Sequence, residues 1–371
     1  MNNLAVVGLG FGDEGKGCVT EYLCSRDPKN TIVVRFSGGQ QAGHKVCKGD
    51  LEHIFSNFGS GTLSGCPTYW SEYCTFDPIG FWNEFQILRE KGIDPKIYIH
   101  PNCAVTTVYD ILVNRELDRD NGTVGTGVFR TKKRHFTDGL TLSPVTIFFG
   151  SPQTVEHILE DIRLYYDISE PKAEIYLDAV RNIRKLLDKN IFISRFIPTD
   201  YPYQVFEGSQ GLMLDEHIGH MPHCTPSDIT PRNAMKLAKL DEIFLVTRAY
   251  QTRHGNGPMT NEKYPVKLIN TERETNSSHI YQGEFRKSVL DLDQLIHAKR
   301  QGIDRIISKN TKVSLVVTCM DQLKEYSATV KGRVQTYDER TFIDLLGTLL
   351  CINGSAYINT SPFSNTIKFY Q

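Results

Sequence analysis

The stretch Gly8-Leu9-Gly10-Phe11-Gly12-Asp13-Glu14-Gly15-Lys16-Gly17 constrains this chain more than any other. It follows an apolar run at 4–7 and leads into a helical pattern that begins near Gly15. Glycines between a strand and a helix let backbone N–H groups approach an anion, and the helix start adds partial positive charge. Lys16 adds a full charge. Gly10 to Lys16 nearly matches the phosphate-loop pattern GxxxxGK[ST], but Gly17 stands where a magnesium-binding hydroxyl would be. Two carboxylates, Asp13 and Glu14, lie inside the loop, and acids facing a phosphate are costly unless they bind a metal or accept a proton.

The rest of the chain alternates in the same way. Short β-branched runs at 31–36, 96–100, 203–206, 243–247, 313–318 and 356–359 read as strands. Helical patterns fall after Asp77, with Phe81, Phe85 and Leu88 in phase, and at 153–166, 171–189 and 339–350. The expected fold class is α/β, with a mostly parallel central sheet flanked by helices. No linker or repeat divides residues 1–371, so one domain with loop insertions is expected.

Charge narrows the function. Lys and Arg total 42 against 43 Asp and Glu, a formal charge of -1. Without a global basic field, no nucleic-acid partner is expected, and nucleotide contacts must be local. No apolar run reaches membrane-span length and no signal-peptide pattern opens the chain, so no membrane partner is expected either. Nine cysteines without a CxxC pair fit free thiols and a cytoplasmic location.

Further small-residue loops end the later strands. Val34-Arg35-Phe36-Ser37-Gly38-Gly39-Gln40-Gln41-Ala42-Gly43-His44 is one, and Gly122-Thr123-Val124-Gly125-Thr126-Gly127 another. Phe206-Glu207-Gly208-Ser209-Gln210-Gly211, Pro222-His223-Cys224-Thr225 and Thr252-Arg253-His254-Gly255-Asn256-Gly257-Pro258 follow. Together with Phe11 to Gly17, these segments resemble the adenylosuccinate synthetase family: its WGDEGKG, VRxxGGxNAGH, FEGxQG and TRxGxGP motifs. Chain length and the Cys224-Thr225 variant resemble the short archaeal and phage members.

The resemblance implies a P-loop-related fold and a two-step chemistry. A 6-oxopurine monophosphate of the inosinate kind is phosphorylated on O6 by GTP, and L-aspartate then displaces the phosphate. It implies Asp13 as base, with Lys16 and His44 assisting phosphoryl transfer. It places Gly12, Glu14, Gly15, Gly17, Asp321, Ser361 and Pro362 at the triphosphate. Gln41, Thr123, Gln210, Thr225 and Arg253 fall at the monophosphate, with Arg134 reaching across a homodimer. Magnesium is implied as cofactor, held by Asp13 and the Gly43 carbonyl. Read without the resemblance, Arg130, Lys132, Lys133 and Arg134 form a solvated basic turn.

Departures keep alternatives open. The amine-donor segment, Tyr281-Gln282-Gly283-Glu284-Phe285-Arg286-Lys287, keeps Arg286 and Lys287 as cations, but Glu284 replaces an arginine. That reversal is unfavourable for a dianionic amino acid, so either Arg286 and Lys287 suffice for aspartate or the ligase uses a different amine donor. Cys319 replaces the lysine before Asp321, so ATP stands beside GTP as donor. Phage-type relatives that act on deoxyguanylate are a second reading, although retained Asp13 favours an inosinate-like substrate. A P-loop kinase or GTP switch would need a hydroxyl after Lys16, and a turnover-free nucleotide sensor would not need Asp13, Lys16 and His44.

Overall fold

A computed structural model describes residues 2–118, 123–169, 172–274, 276 and 283–370. Gly122, Tyr281 and Gln282 lie outside the described residues. The centre is a ten-stranded sheet. Its strands, in chain order, are β1 (Asn2–Gly8), β2 (Thr31–Arg35), β3 (Thr68–Trp70), β4 (Ile97–Ile99), β5 (Ile191–Ile193), β6 (Tyr203–Gly211), β7 (Glu242–Arg248), β8 (Lys312–Thr318), β9 (Ala356–Ile358) and β10 (Lys368–Tyr370). The spatial order is β10-β9-β8-β7-β1-β6-β2-β3-β4-β5. Every pairing is parallel except β9 with β10. The expected α/β class with a mostly parallel sheet is what forms.

The central strands are apolar without a break because both faces are covered. Ala5, Val7, Val34, Phe206 and Leu245 join one core cluster. Val6, Val33, Val205, Phe244 and Val246 point the other way and join Val19 and Leu23 of helix α1 (Lys16–Cys24). A third cluster runs beside β3, β4 and β5 and takes in Phe81, Phe85, Leu159 and Tyr176 from the flanking helices. Each buried aliphatic side chain contributes roughly 1.5–3 kcal/mol relative to exposure, so this three-part core fixes the sheet firmly.

Helices at Pro78–Glu90, Pro152–Tyr165, Glu174–Arg184 and Glu339–Leu349 fall within or beside the expected ranges. The three-residue strands β3 and β5 have no counterpart in the sequence reading, nor does the helix Val108–Leu117. The basic run is no solvated turn. It begins in the helix Val128–Lys132 and continues through a wider helical turn at Lys133–Thr137.

Candidate active site

The functional loops leave the carboxyl ends of neighbouring parallel strands, where open α/β sheets bind ligands. The first loop follows β1 at the middle. The Ser37–Gly43 turn follows β2, Gln210 ends β6, Arg253 follows β7, Asp321 follows β8, and Ser361 and Pro362 follow β9.

Contacts between neighbouring loops close these segments into one ring. A Cβ on Gly12 would lie 3.1 Å from Gln210 Oε1, and one on Gly17 would lie 2.9 Å from the His44 Cβ. Gln40 Nε2 donates to the Thr126 carbonyl at 2.8 Å, joining the β2 turn to the second small-residue loop. Arg253 lies over the Phe11 ring at 4.2 Å and donates through Nη2 to the His223 carbonyl at 2.8 Å. On the other flank, Thr318 Oγ1 donates to the Glu14 carbonyl at 2.7 Å, and the Cys18 thiol approaches the Pro362 carbonyl at 3.8 Å. One flank therefore carries Gln41, Thr123, Gln210 and Thr225. The other carries Asp321, Ser361 and Pro362.

Inside the first loop, Glu14 departs from expectation. It is turned inward and buried, so it does not face a triphosphate. Its Oε1 accepts from the N–H groups of Gly10 and Gly12 at 3.0 and 2.9 Å, and its Oε2 pairs with Lys16 Nζ at 2.6 Å. Lys16 is buried with it. Side chains are excluded at Gly8, where a Cβ would lie 2.3 Å from the Glu14 carboxylate. The loop thus folds around an anion of its own.

Asp13 follows with φ 60, a left-handed conformation uncommon outside glycine and asparagine. Arg248 Nε donates to its carbonyl at 2.5 Å, and His254 Nε2 lies 3.2 Å from its Oδ2. Burial works to raise the Asp13 carboxyl, but the His254 hydrogen bond and the charge of Arg248 outweigh it and hold it below its usual value. Asp13 is ionised and can accept a proton.

His44 is buried. Its Nδ1 lies 2.6 Å from Glu207 Oε1, and its buried Nε2 has no partner among the described residues. Ser60 donates to Glu207 through both its hydroxyl and its N–H, and the buried Arg35 guanidinium lies 3.9 Å away. Burial would raise the Glu207 carboxyl, but His44, Arg35 and Ser60 bring it down to about 2. Burial pushes the His44 imidazole down despite the pull of Glu207. Free of ligand, His44 is therefore neutral, with Nδ1–H on the Glu207 carboxylate.

Gln41 resembles His44 in one respect: its amide nitrogen and oxygen are both buried and have no partner among the described residues. Thr123 Oγ1 accepts from Gly125 N–H at 3.2 Å and so shapes its own loop. Thr225 lies on the loop beside it, anchored by its N–H to the Leu214 carbonyl at 2.7 Å. Lys132 links these two loops through Nζ to Ser227 Oγ at 2.9 Å, a contact that the sequence reading missed.

Arg134 requires a correction. It is fully buried, and its guanidinium donates to Asp110 at 2.9 and 3.0 Å, to the Val105 carbonyl at 2.8 Å and to the Leu140 carbonyl at 2.6 Å. A cation with its donors spent inside its own chain cannot reach a neighbouring subunit.

At the donor segment, Phe285–Ser288 pairs antiparallel with Gln251–His254, which sets Arg286 opposite Arg253. Burial, then the adjacent Arg286 charge, brings Arg253 down to about 10. Arg286 pairs with Glu262 and donates to the Gly257 carbonyl at 2.5 Å. Lys287 lies 5.7 Å from the Phe285 ring, and Glu284 is exposed.

Fold and ring of loops define an α/β protein whose glycine-rich loops gather along the carboxyl edge of its parallel sheet. The family model described as adenylosuccinate synthetase matches residues 5–328. The chain belongs to the adenylosuccinate synthetase family.

Among curated relatives, adenylosuccinate synthetase of Thermodesulfovibrio yellowstonii is 27% identical over 299 residues, covering 71% of this chain and 65% of the relative. That of Thermoplasma acidophilum is 29% identical over 278 residues, covering 70% and 63%. The chain thus spans a little under two thirds of the length of these relatives. A fully ligated adenylosuccinate synthetase from Plasmodium falciparum superposes with a TM-score of 0.79 over 100% of both chains at 17% identity. A cyanophage S-2L succinoaminodeoxyadenylate synthetase bound to dGMP and dATP gives 0.64 at 17% identity, over 99% of this chain and 95% of the other. At such identities these likenesses concern the fold. Among the described residues, no helix is long and apolar enough to cross a membrane.

Proposed function

We propose that this chain is a purine nucleotide ligase that joins L-aspartate to C6 of an inosinate-like monophosphate at the expense of GTP. The observation that carries this reading is the ring itself: an ionised Asp13, a buried His44 with a free Nε2, and Gln210 meet around one glycine loop.

The chemistry follows from those groups. Asp13 takes the proton from purine N1, and the electron pair moves onto O6. O6 attacks the γ-phosphorus of the triphosphate, and the diphosphate leaves. As the triphosphate binds, His44 takes up a proton from solvent on Nε2, ionised Glu207 supports the resulting imidazolium, and its Nε2–H donates to an oxygen of the transferring phosphoryl group. The amine of aspartate then attacks C6, loses a proton and expels inorganic phosphate, a far better leaving group than an oxide. Lys16, paired with Glu14, braces the loop from beneath. Gln210, Thr225, Lys132 and Arg253 hold the monophosphate, and Asp321, Ser361 and Pro362 the donor nucleotide.

No group of three His, Cys, Asp or Glu among the described residues forms a metal cage. Asp13 Oδ2 keeps a lone pair beyond its contact with His254, and Gly43, whose carbonyl is the second donor, is exposed. That donor set fits magnesium, which takes few protein ligands and completes its shell with phosphate oxygens and water. Bound there, it would neutralise charge on the transferring phosphoryl group.

The proposal extends to a single unit over 1–371, a cytoplasmic location suited to nine free thiols, and a homodimer. Leu117, Phe149, Leu164 and Ile175 are exposed on the helical layer and suit cover by a second copy. Sedimentation showing only monomer removes the dimer.

Deoxyguanylate is the second substrate to test, since the phage enzyme of the same fold is described with dGMP. The experiment is one panel of purine monophosphates, amino acids and nucleoside triphosphates with magnesium, read by phosphate release and mass spectrometry. Phosphate release with inosinate, aspartate and GTP is expected. Silence across the panel overturns the ligase reading.

A further inference from the structure

Asp13 has an unusual neighbour. His254 fills the first unspecified place of the TRxGxGP motif, and in space its side chain reaches the Asp13 carboxylate, at 3.2 Å from Oδ2. The other cations near this carboxylate are committed elsewhere. Arg248 pairs with Glu274, donates to Tyr250 Oη at 2.8 Å and holds the Asp13 carbonyl. Lys16 is held by Glu14.

His254 is itself fixed. Its backbone pairs with Phe285 across the Gln251–His254 and Phe285–Ser288 strands, and its ring centre lies 4.8 Å from that of Phe285. Its Nδ1 is buried and has no partner among the described residues. An ionised carboxylate only accepts hydrogen bonds, so the ring hydrogen belongs on Nε2, aimed at Oδ2.

We infer that His254 is a positioning residue that holds Asp13 by Oδ2 and leaves Oδ1 to meet the purine. The backbone of Asp13 is pinned by Arg248, but its side chain stands partly open at the cleft. With Oδ2 engaged, rotation of the carboxylate is restricted, and N1–H meets one defined oxygen. The proton passes from N1 to Oδ1 while the Nε2–H bond to Oδ2 stays in place.

This inference rests on the ligase reading, and its test separates the two. Three variants are compared with wild type under the panel conditions. His254→Phe keeps a ring against Phe285 but loses the donor. His254→Asn keeps an amide too short to reach Asp13, whereas His254→Gln places an N–H near the position of Nε2. The Phe and Asn variants should lose roughly 10- to 100-fold in kcat, as expected for a misplaced reacting group, with each nucleotide KM within about 2-fold. His254→Gln should recover most of that loss. Wild-type kcat in the Phe and Asn variants, or a Gln variant no better than Asn, overturns the inference alone. An inactive wild type overturns the ligase reading and the inference with it.

Discussion

The loop after β1 and the segment around Phe285–Ser288 meet at His254, but they are held in opposite ways. In the first, Glu14 and Lys16 are buried against one another and the loop N–H groups are filled from within. In the second, Glu284 is exposed, and Arg286 is paired with Glu262, itself largely exposed. Phosphoryl transfer needs atoms fixed to a fraction of an ångström, which buried hydrogen-bonded groups provide. Recognition of an amine donor tolerates a looser, wetter site, and there the chain departs most from the family pattern. Charge reversal at an exposed place costs little.

Substitutions on the two sides should therefore differ in size. Asp13→Asn keeps the shape but cannot take the N1 proton. Turnover should fall by about 10³-fold or more with nucleotide affinity kept, measured by steady-state rates and calorimetry. Residual turnover near wild type would end the assignment of Asp13 as base. His44→Asn should lower kcat on the order of 10²-fold, and an unchanged kcat would show that the buried Nε2 serves no phosphoryl oxygen. Glu14→Ala leaves two loop N–H groups and the Lys16 ammonium without their partner. A loss of about 1–3 kcal/mol in denaturant unfolding is expected, and unaltered stability would break the comparison at its rigid end. Glu284→Arg should be the mildest: a fall in the aspartate KM of about 2- to 5-fold, the scale of one exposed ion pair. Abolished activity would mean instead that Glu284 touches the donor directly.

Much of the fold was legible because the central strands are buried on both faces and read as unbroken apolar runs. Three residues are too few for any period to show, and β3, β5 and β10 went unread, whereas the equally short β4 and β9 sit inside the longer runs at 96–100 and 356–359. Glycine loops were legible for a related reason: backbone close to an anion leaves a compositional trace. Direction was not. Arg134 reads as one more cation in a basic run, and its inward turn depends on Asp110, 24 residues earlier. Lys132 in the same run points to Ser227, 95 residues later. His254 gives no periodic signal at all, since only antiparallel pairing with Phe285–Ser288 carries its ring to Asp13. Glu14 shows the same limit, because a carboxylate in a phosphate loop reads as facing the ligand until its hydrogen bonds are traced.

The carboxylate of Glu14 also bears on when order is established. A loop that must gather its N–H groups around an arriving phosphate loses conformational entropy at that moment and binds more weakly for it. Here the same N–H groups converge on a carboxylate that arrives with the chain, so their arrangement is completed during folding. On the ligase reading, a nucleotide would meet a surface already set, and the entropic cost would fall on the birth of the protein rather than on each turnover.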